Sequence, residues 1–438
     1  MLRLALPLVA AELGWVAMGV VDTMMVGRVG ATAIGAVSIG GTLFYTVAIF
    51  GTGLMLGLDT LVAQSYGAGD LEDCHRSLIN ALHLAVPLTP LLMLAVWMWV
   101  PLLRWFAVNP AVLRETVPYL NALALGVCPL LLYFILRRYL QGMNLVKPVL
   151  FTLVSANLVN AAGDWALIYG HCGASAMGAE GAGWATTISR GYMAAVLAGY
   201  VLWHESRYRL GLWAASWRSD LTRIRRLLEL GVPAALQIAV EVGVFAAATT
   251  MVGKLEPAAL AAHQVALTVV TTTFMVALGL GGAAAARVGQ ALGRQDRDTA
   301  ARSGWTALAL GAGFMTCTAL MMVLMPGPIL RAYTTDVRVI HIGVALLAVG
   351  AMFQIFDGLQ GVATGALRGA GDTRTPMLCH LLAYWVIGLP LGYYLCFRRG
   401  WGVAGLWTGL CVALILIGSV LLTVWWRTMA RKVKLANA

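Results

Sequence analysis

Apolar runs long enough to cross a bilayer recur twelve times along the chain, and no other property constrains its fold as tightly. They fall at 4–27, 35–66, 78–101, 112–138, 148–170, 180–203, 227–252, 260–286, 302–325, 338–367, 376–397 and 403–426. Each reaches the ~20 residues that a helix needs to span the hydrocarbon core. Of 438 residues only 11% are charged and 60% are hydrophobic, with a mean hydropathy of +0.81. A soluble domain carries roughly 25% charged residues. The expected fold is therefore an all-α integral membrane protein of twelve transmembrane helices.

The net charge of +11 would suit nucleic acid, but its distribution points elsewhere. With the N-terminus inside, about 21 of the 30 Lys and Arg residues fall in inner termini and loops and about 8 in outer ones, which is the usual topology bias. Both termini are thus expected in the cytoplasm, and nucleic acid is not an expected partner. The segment 204–226 holds Arg207, Arg209, Arg218, Arg223, Arg225 and Arg226 and reads as an inner linker between an N-terminal lobe, 1–203, and a C-terminal lobe, 227–438. The seven cysteines are odd in number and lack paired spacing, so no disulfide framework is expected. The first run keeps Glu12 and Asp22 and has no small-residue cleavage site, so it reads as a retained helix.

The two halves repeat. A shift of 226 places Pro7 on Pro233, Thr23 on Thr249, and Met25-Val26-Gly27 on Met251-Val252-Gly253. The same shift sets Gln64, Gly67 and Asp70 on Gln290, Gly293 and Asp296. An even number of helices per half makes the repeats parallel, and such transporters bind their substrate between the halves. In these loops Gly67 and Gly293 suit helix C-caps with positive φ. Asp70 and Asp296 suit N-caps of the helices that follow, with substrate contact as the alternative.

Acids inside apolar runs are costly and mark function. Asp22 lies deep in the first run. Asp164 follows Asn160 by four residues and so shares its face, with Asn157 one turn earlier, so Asp22 and this trio are expected to form a polar cluster for a proton or cation. Glu241 and Asp357 are the deepest pair, with Gln354 and Gln360 a turn either side of Asp357. Either acid is stable as a protonated group or beside a cation, and Arg190 is the only basic residue deep in a run. Protons, metal ions or a cationic substrate are the remaining partners. Glu241 and Asp357 would be the metal ligands if the ion is Na⁺. Asp59, near the inner end of its run, is a weaker candidate. His263 reads as an interfacial or packing residue, and Trp97, Trp99, Trp105, Trp203, Trp385, Trp401, Trp425 and Trp426 as interfacial belt residues. The sequence holds no phosphate-binding loop, nucleophile elbow or metal-site spacing of His and Cys. No enzymatic activity is expected.

The stretches VDTMMVGRVGATAIGAVS (Val21–Ser38), DTLVAQSYGAGD (Asp59–Asp70), EVGVF (Glu241–Phe245) and LRGAGDTRTP (Leu367–Pro376) resemble the multidrug and toxic compound extrusion (MATE) family. The resemblance runs from Leu4 to about Arg427. It implies two six-helix bundles around a central cavity, and export of organic cations driven by inward H⁺ or Na⁺. In its NorM-like branch the coupling acids map to Asp22, Glu241 and Asp357. In its DinF-like branch a proton site resembles Asp22, Asn160, Asp164 and Thr186. This chain carries both sets. The expected protein is a monomeric efflux antiporter of the bacterial inner membrane, with cationic amphipathic compounds and membrane lipid as partners and no cofactor beyond the coupling ion. A flippase of lipid-linked compounds or metabolites in the same superfamily and a major-facilitator-type transporter are the alternatives. At the shift of 226 Glu241 falls on Trp15, seven residues before Asp22, so the acids of the two lobes should be staggered by about two turns, ~10.5 Å.

Overall fold

A computed structural model of the chain describes residues 1–105 and 109–434. The end of the expected basic tail lies outside them. Twelve long helical segments follow one another: α1 (Leu2–Val26), α2 (Ala31–Gly67), α3 (Leu71–Leu103), α4 (Pro110–Gly142), α5 (Lys147–Tyr169), α6 (Ala179–Tyr208), α7 (Leu221–Val252), α8 (Pro257–Gly293), α9 (Arg297–Leu324), α10 (Val337–Gly369), α11 (Arg374–Arg398) and α12 (Gly402–Lys434). A short helix, Pro326–Arg331, precedes α10. Among the described residues nine helices are long and apolar enough to cross a membrane, or ten if α4, bent by 42° at Gly126, counts as one span. The two that fall short, α5 and α6, are those that carry Asn157, Asn160 and Asp164, and Arg190. Polar residues that lower their hydropathy are the same ones that could serve a site.

The chain forms two compact units, residues 10–235 and residues 1–9 with 236–438. In the first, Gly231 packs so closely on α2 that a Cβ there would lie 2.1 Å from the Leu54 carbonyl oxygen, and Gly53 backs onto Ala235. In the second, Gly279 backs onto Val9. Residues 53 and 279 differ by 226, as do 9 and 235, so the repeat is visible in its backbone contacts. It is visible again at the caps. Asp70 accepts from the Asp73 amide at 2.8 Å, and Asp296 accepts from the Thr299 amide at 2.9 Å, with φ/ψ of −90/87 and −90/88. The expected N-caps are therefore present. The expected positive φ is not at Gly67 or Gly293, which end their helices, but two residues later, at Gly69 (φ 79) and Gln295 (φ 60).

In unit 1–9 with 236–438, α8 and α10 meet backbone to backbone. A Cβ on Gly365 would stand 2.1 Å from the Gly281 carbonyl oxygen, and one on Gly369 2.4 Å from that of Ala285. Small residues allow this approach, and dispersion between the closely packed backbones holds it. Trp425, expected in an interfacial belt, is fully buried instead, its indole over Gly304. The other belt tryptophans with large exposure include Trp105, Trp203, Trp401 and Trp426. α11 leaves α geometry: it winds as a π-helix over Leu381–Gly388 and again over Tyr394–Arg398. These contacts predict that Gly365→Ala destabilises the protein by about 1–3 kcal/mol through overpacking against backbone. Its thermal unfolding in detergent should fall clearly below that of Gly191→Ala, where an added Cβ meets nothing within 4 Å.

Candidate functional site

Two clusters of buried polar side chains stand out, one in each unit. In residues 10–235 the cluster joins α1, α5 and α6. The four-residue spacing puts Asn160 and Asp164 on the inner face of α5, where both are fully buried. Asp22 of α1 lies beside them. The Thr186 hydroxyl stands 3.2 Å from Asp22 Oδ2 and 2.9 Å from the Ala182 carbonyl oxygen, so its single proton is shared between them. One turn on, buried Arg190 stacks its guanidinium 4.5 Å above the Phe44 ring and faces Asp22. Asp22 Oδ1, both Asp164 oxygens, both Asn160 amide atoms, and Nε and Nη1 of Arg190 have no hydrogen-bond partner. A buried polar group normally has one. A concentration of orphaned atoms is what a site for a proton or a small polar ligand requires.

Asn157 was expected in the same cluster, but its amide is used elsewhere. It donates to the Gly14 carbonyl of α1 at 3.1 Å and to Leu153 of its own helix at 2.9 Å. It ties α5 to α1.

In the second unit the cluster joins α7, α10 and α11. Gln360 donates from one amide nitrogen to Glu241 Oε1 and to Asp357 Oδ1, each at 3.2 Å. Gln237, one turn before Glu241, donates to its Oε2 at 3.0 Å. His380 of α11 completes the group. Its Nε2 lies 2.8 Å from Gln360 Oε1 and 3.9 Å from Glu241 Oε2, and its Nδ1 lies 2.7 Å from the Pro376 carbonyl oxygen. Among the described residues no Lys or Arg pairs with Glu241 or Asp357. Gln354, expected beside Asp357, instead bonds the hydroxyls of Thr273 (2.6 Å) and Thr318 (3.1 Å), which secures α10 to α8 and α9.

Gln237 and His380 escaped the reading of the sequence. The signal for Gln237 was its spacing of four from Glu241, and for His380 its place inside an apolar run. A further expectation fails at the C-terminal end of α4. That helix continues to Gly142 and buries Arg137, which forms an ion pair with Glu12; Arg138 pairs with Asp59 at 3.5 Å and bonds Gln141 at 3.3 Å. Arg190 is thus not the only basic residue buried within a long helix, and Asp59 serves an ion pair. His263 is fully buried: it accepts from Trp407 Nε1 at 2.9 Å and lies 2.9 Å from the Thr249 hydroxyl, a packing role. Among the described residues no three His, Cys, Asp or Glu side chains are placed to hold a metal ion together. Hydroxyls, amides and paired carboxylates of this kind are groups that can bind protons or cations.

Known proteins place these clusters in context. The MatE family model matches residues 7–166 and again 233–394, with starts that differ by the repeat shift of 226. A probable multidrug resistance protein NorM of Brucella suis is 36% identical over 435 residues, covering 97% of this chain and 92% of that protein. The multidrug resistance protein PmpM of Pseudomonas aeruginosa is 35% identical over 423 residues, covering 94% and 88%. The crystal structure of the eukaryotic MATE transporter AtDTX14 superposes with a TM-score of 0.85 at 21% identity, covering 98% of this chain and 96% of that one. An outward-facing multidrug resistance MATE family transporter superposes with a TM-score of 0.88 at 15% identity, covering 99% and 96%.

The contrast between the two asparagines of α5 is measurable. Asn157→Ala removes an interhelical hydrogen bond worth about 0.6 to 2 kcal/mol and should lower the unfolding temperature. Asn160→Ala removes an amide that bonds nothing and should lower it less. Differential scanning fluorimetry of both variants in one detergent compares them directly.

Proposed function

The chain belongs to the multidrug and toxic compound extrusion (MATE) family of membrane transporters, and we propose that it is a secondary active multidrug efflux antiporter. It exports cationic, amphipathic small molecules across the bacterial inner membrane, with both termini in the cytoplasm, in exchange for inward H⁺ or Na⁺. The observation that carries this reading is the Glu241–Gln360–Asp357 bridge. Two carboxylates, Asp357 buried and Glu241 largely so, share one amide and lack an arginine or lysine partner among the described residues. A buried carboxylate left without a fixed cation gains from any mobile one. A proton, a sodium ion and an organic cation therefore compete for the same charge, and competition is sufficient for exchange: each displaces the other.

Direction follows from the gradient. Ions entering from the side of higher electrochemical potential neutralise the carboxylates and weaken their hold on the drug. The cluster of Asp22, Asn160, Asp164 and Thr186 supplies a second acceptor for the ion, with Arg190 beside it in place of an organic cation. The amphipathic substrates that the NorM and PmpM names suggest would satisfy such a site, one end charged and the rest apolar.

Efflux of a cationic dye from proteoliposomes under a pure pH gradient, and then under a pure Na⁺ gradient, identifies the ion. Glu241→Gln with Asp357→Asn should cut ion-driven efflux roughly tenfold or more, since a hydrogen bond to a charged group contributes about 1.5–3 kcal/mol. Efflux and ion dependence unchanged in the double variant would refute the assignment of these acids.

A further inference from the structure

We propose that His380 is a third proton-binding group of the Glu241–Asp357 site, and that Gln360 and Gln237 hold its ring in either protonation state according to the charge on the acids. This rests on the antiport reading only for its role in transport; the chemistry stands on the side chains alone.

Hydrogen-bond demand around the ring sets its protonation. Nδ1 faces the Pro376 carbonyl oxygen at 2.7 Å, an atom that can only accept. Nε2 faces Gln360 Oε1 at 2.8 Å. The orientation of that amide is set by its other end, whose nitrogen donates to two carboxylate oxygens, Glu241 Oε1 and Asp357 Oδ1. With the acids ionised, both ring nitrogens therefore meet acceptors, and only the imidazolium carries a proton on each. Glu241 Oε2, 3.9 Å from Nε2, supplies the opposite charge.

The same site provides for the neutral ring. Gln237 Nε2 lies 3.4 Å from His380 Nε2 and can donate to its lone pair. A protonated carboxyl on Glu241 or Asp357 needs an acceptor, and the nearest amide oxygen is that of Gln360. If that amide turns to accept, its nitrogen comes to face His380 Nε2, again as a donor. Burial of the ring, which is fully enclosed, favours the neutral form once the nearby carboxylate charge is gone. The proton balance is then simple: imidazolium with carboxylate becomes imidazole with carboxylic acid, and any organic cation bound at the acids favours loss of the ring proton by repulsion.

The titratable groups around the ring are few. Glu241 faces it from α7, Asp357 from α10 through Gln360, and Tyr384 from one turn further along α11, with a ring centroid 5.8 Å away and a hydroxyl that bonds nothing. The backbone changes from α to π winding immediately after His380, a local irregularity that often accompanies functional sites.

Nitrogen-15 NMR of histidine-labelled protein, over about pH 5 to about pH 9, reads the ring directly, with His380→Gln assigning its signals. The expected result is a doubly protonated ring in the parent while the acids are ionised, and a singly protonated one in Glu241→Gln with Asp357→Asn. Binding of tetraphenylphosphonium in weak buffer should release about one proton more from the parent than from His380→Gln at the pH where the ring is charged. A ring that stays singly protonated throughout in both proteins, or equal proton release from both with the probe bound, overturns the proposal. Neither measurement uses a gradient, so its failure is separable from failure of the antiport reading, which shows in dye efflux.

Discussion

A carboxylate buried among apolar helices has to be neutralised where it stands, and much of this structure follows from how each one is. Moving a charge out of water costs several kcal/mol even after relaxation. Glu12 and Asp59 meet that cost with Arg137 and Arg138, residues presented by the C-terminal half of α4. These pairs are fixed. Glu241 and Asp357 are given amides in place of arginine. Amides stabilise a carboxylate without cancelling its charge, which leaves the charge available to something that comes and goes.

The two polar clusters use this freedom differently. Around Glu241 the side chains bond one another in a chain from Gln237 to Pro376 through His380 and Gln360. A change of protonation at one member alters what its neighbours can donate or accept. Around Asp22 the atoms are orphaned: Asn160 and Asp164 bond nothing, while Arg190 rests on Phe44 with two nitrogens unpartnered. Unsatisfied buried groups cost about 1–3 kcal/mol each, so this arrangement is less stable than a bonded one and is relieved by any ligand that supplies the missing partners. One cluster is a connected network, the other an unfilled one.

The architecture was legible in the sequence because bilayer-length apolar runs leave little choice but helices, and the repeat shift of 226 fixed the two halves. The acids were legible for the same reason, since each stood out against an apolar background. What the sequence could not convey was orientation around each helix. Asn157 and Asn160 are nearly adjacent in the chain, yet one bonds α1 and the other faces Asp22. Gln354 and Gln360 flank Asp357 almost symmetrically, yet only Gln360 reaches the acids. His380 was missed because a lone histidine in an apolar run is no signal until the π winding of α11 and the positions of α7 and α10 bring three polar neighbours to its ring. Arg137 looks like a loop residue in the sequence because charge marks helix ends, whereas here the helix continues and the charge is buried with its partner.

The duplication itself explains where chemistry and scaffold part company. Positions that fix the backbone are kept between the halves: the Asp70 and Asp296 caps share their dihedral angles, and Gly53 and Gly279 make equivalent close contacts. The acids of the two polar clusters are not kept. The counterpart of Glu241 is Trp15, which stacks on Tyr133 at 6.3 Å, and the counterpart of Gln237 is the buried Ala11. The counterpart of Asp22 is Ala248, also fully buried. Each site is thus filled in the other half by packing, and a single exchange, such as Trp15→Glu, would place a carboxylate against Tyr133 with none of the amides that surround Glu241. Backbone geometry constrains both halves alike because the same helices must pack. A side-chain network must change as a whole, so once the halves acquired different partners their sites could no longer be interchanged.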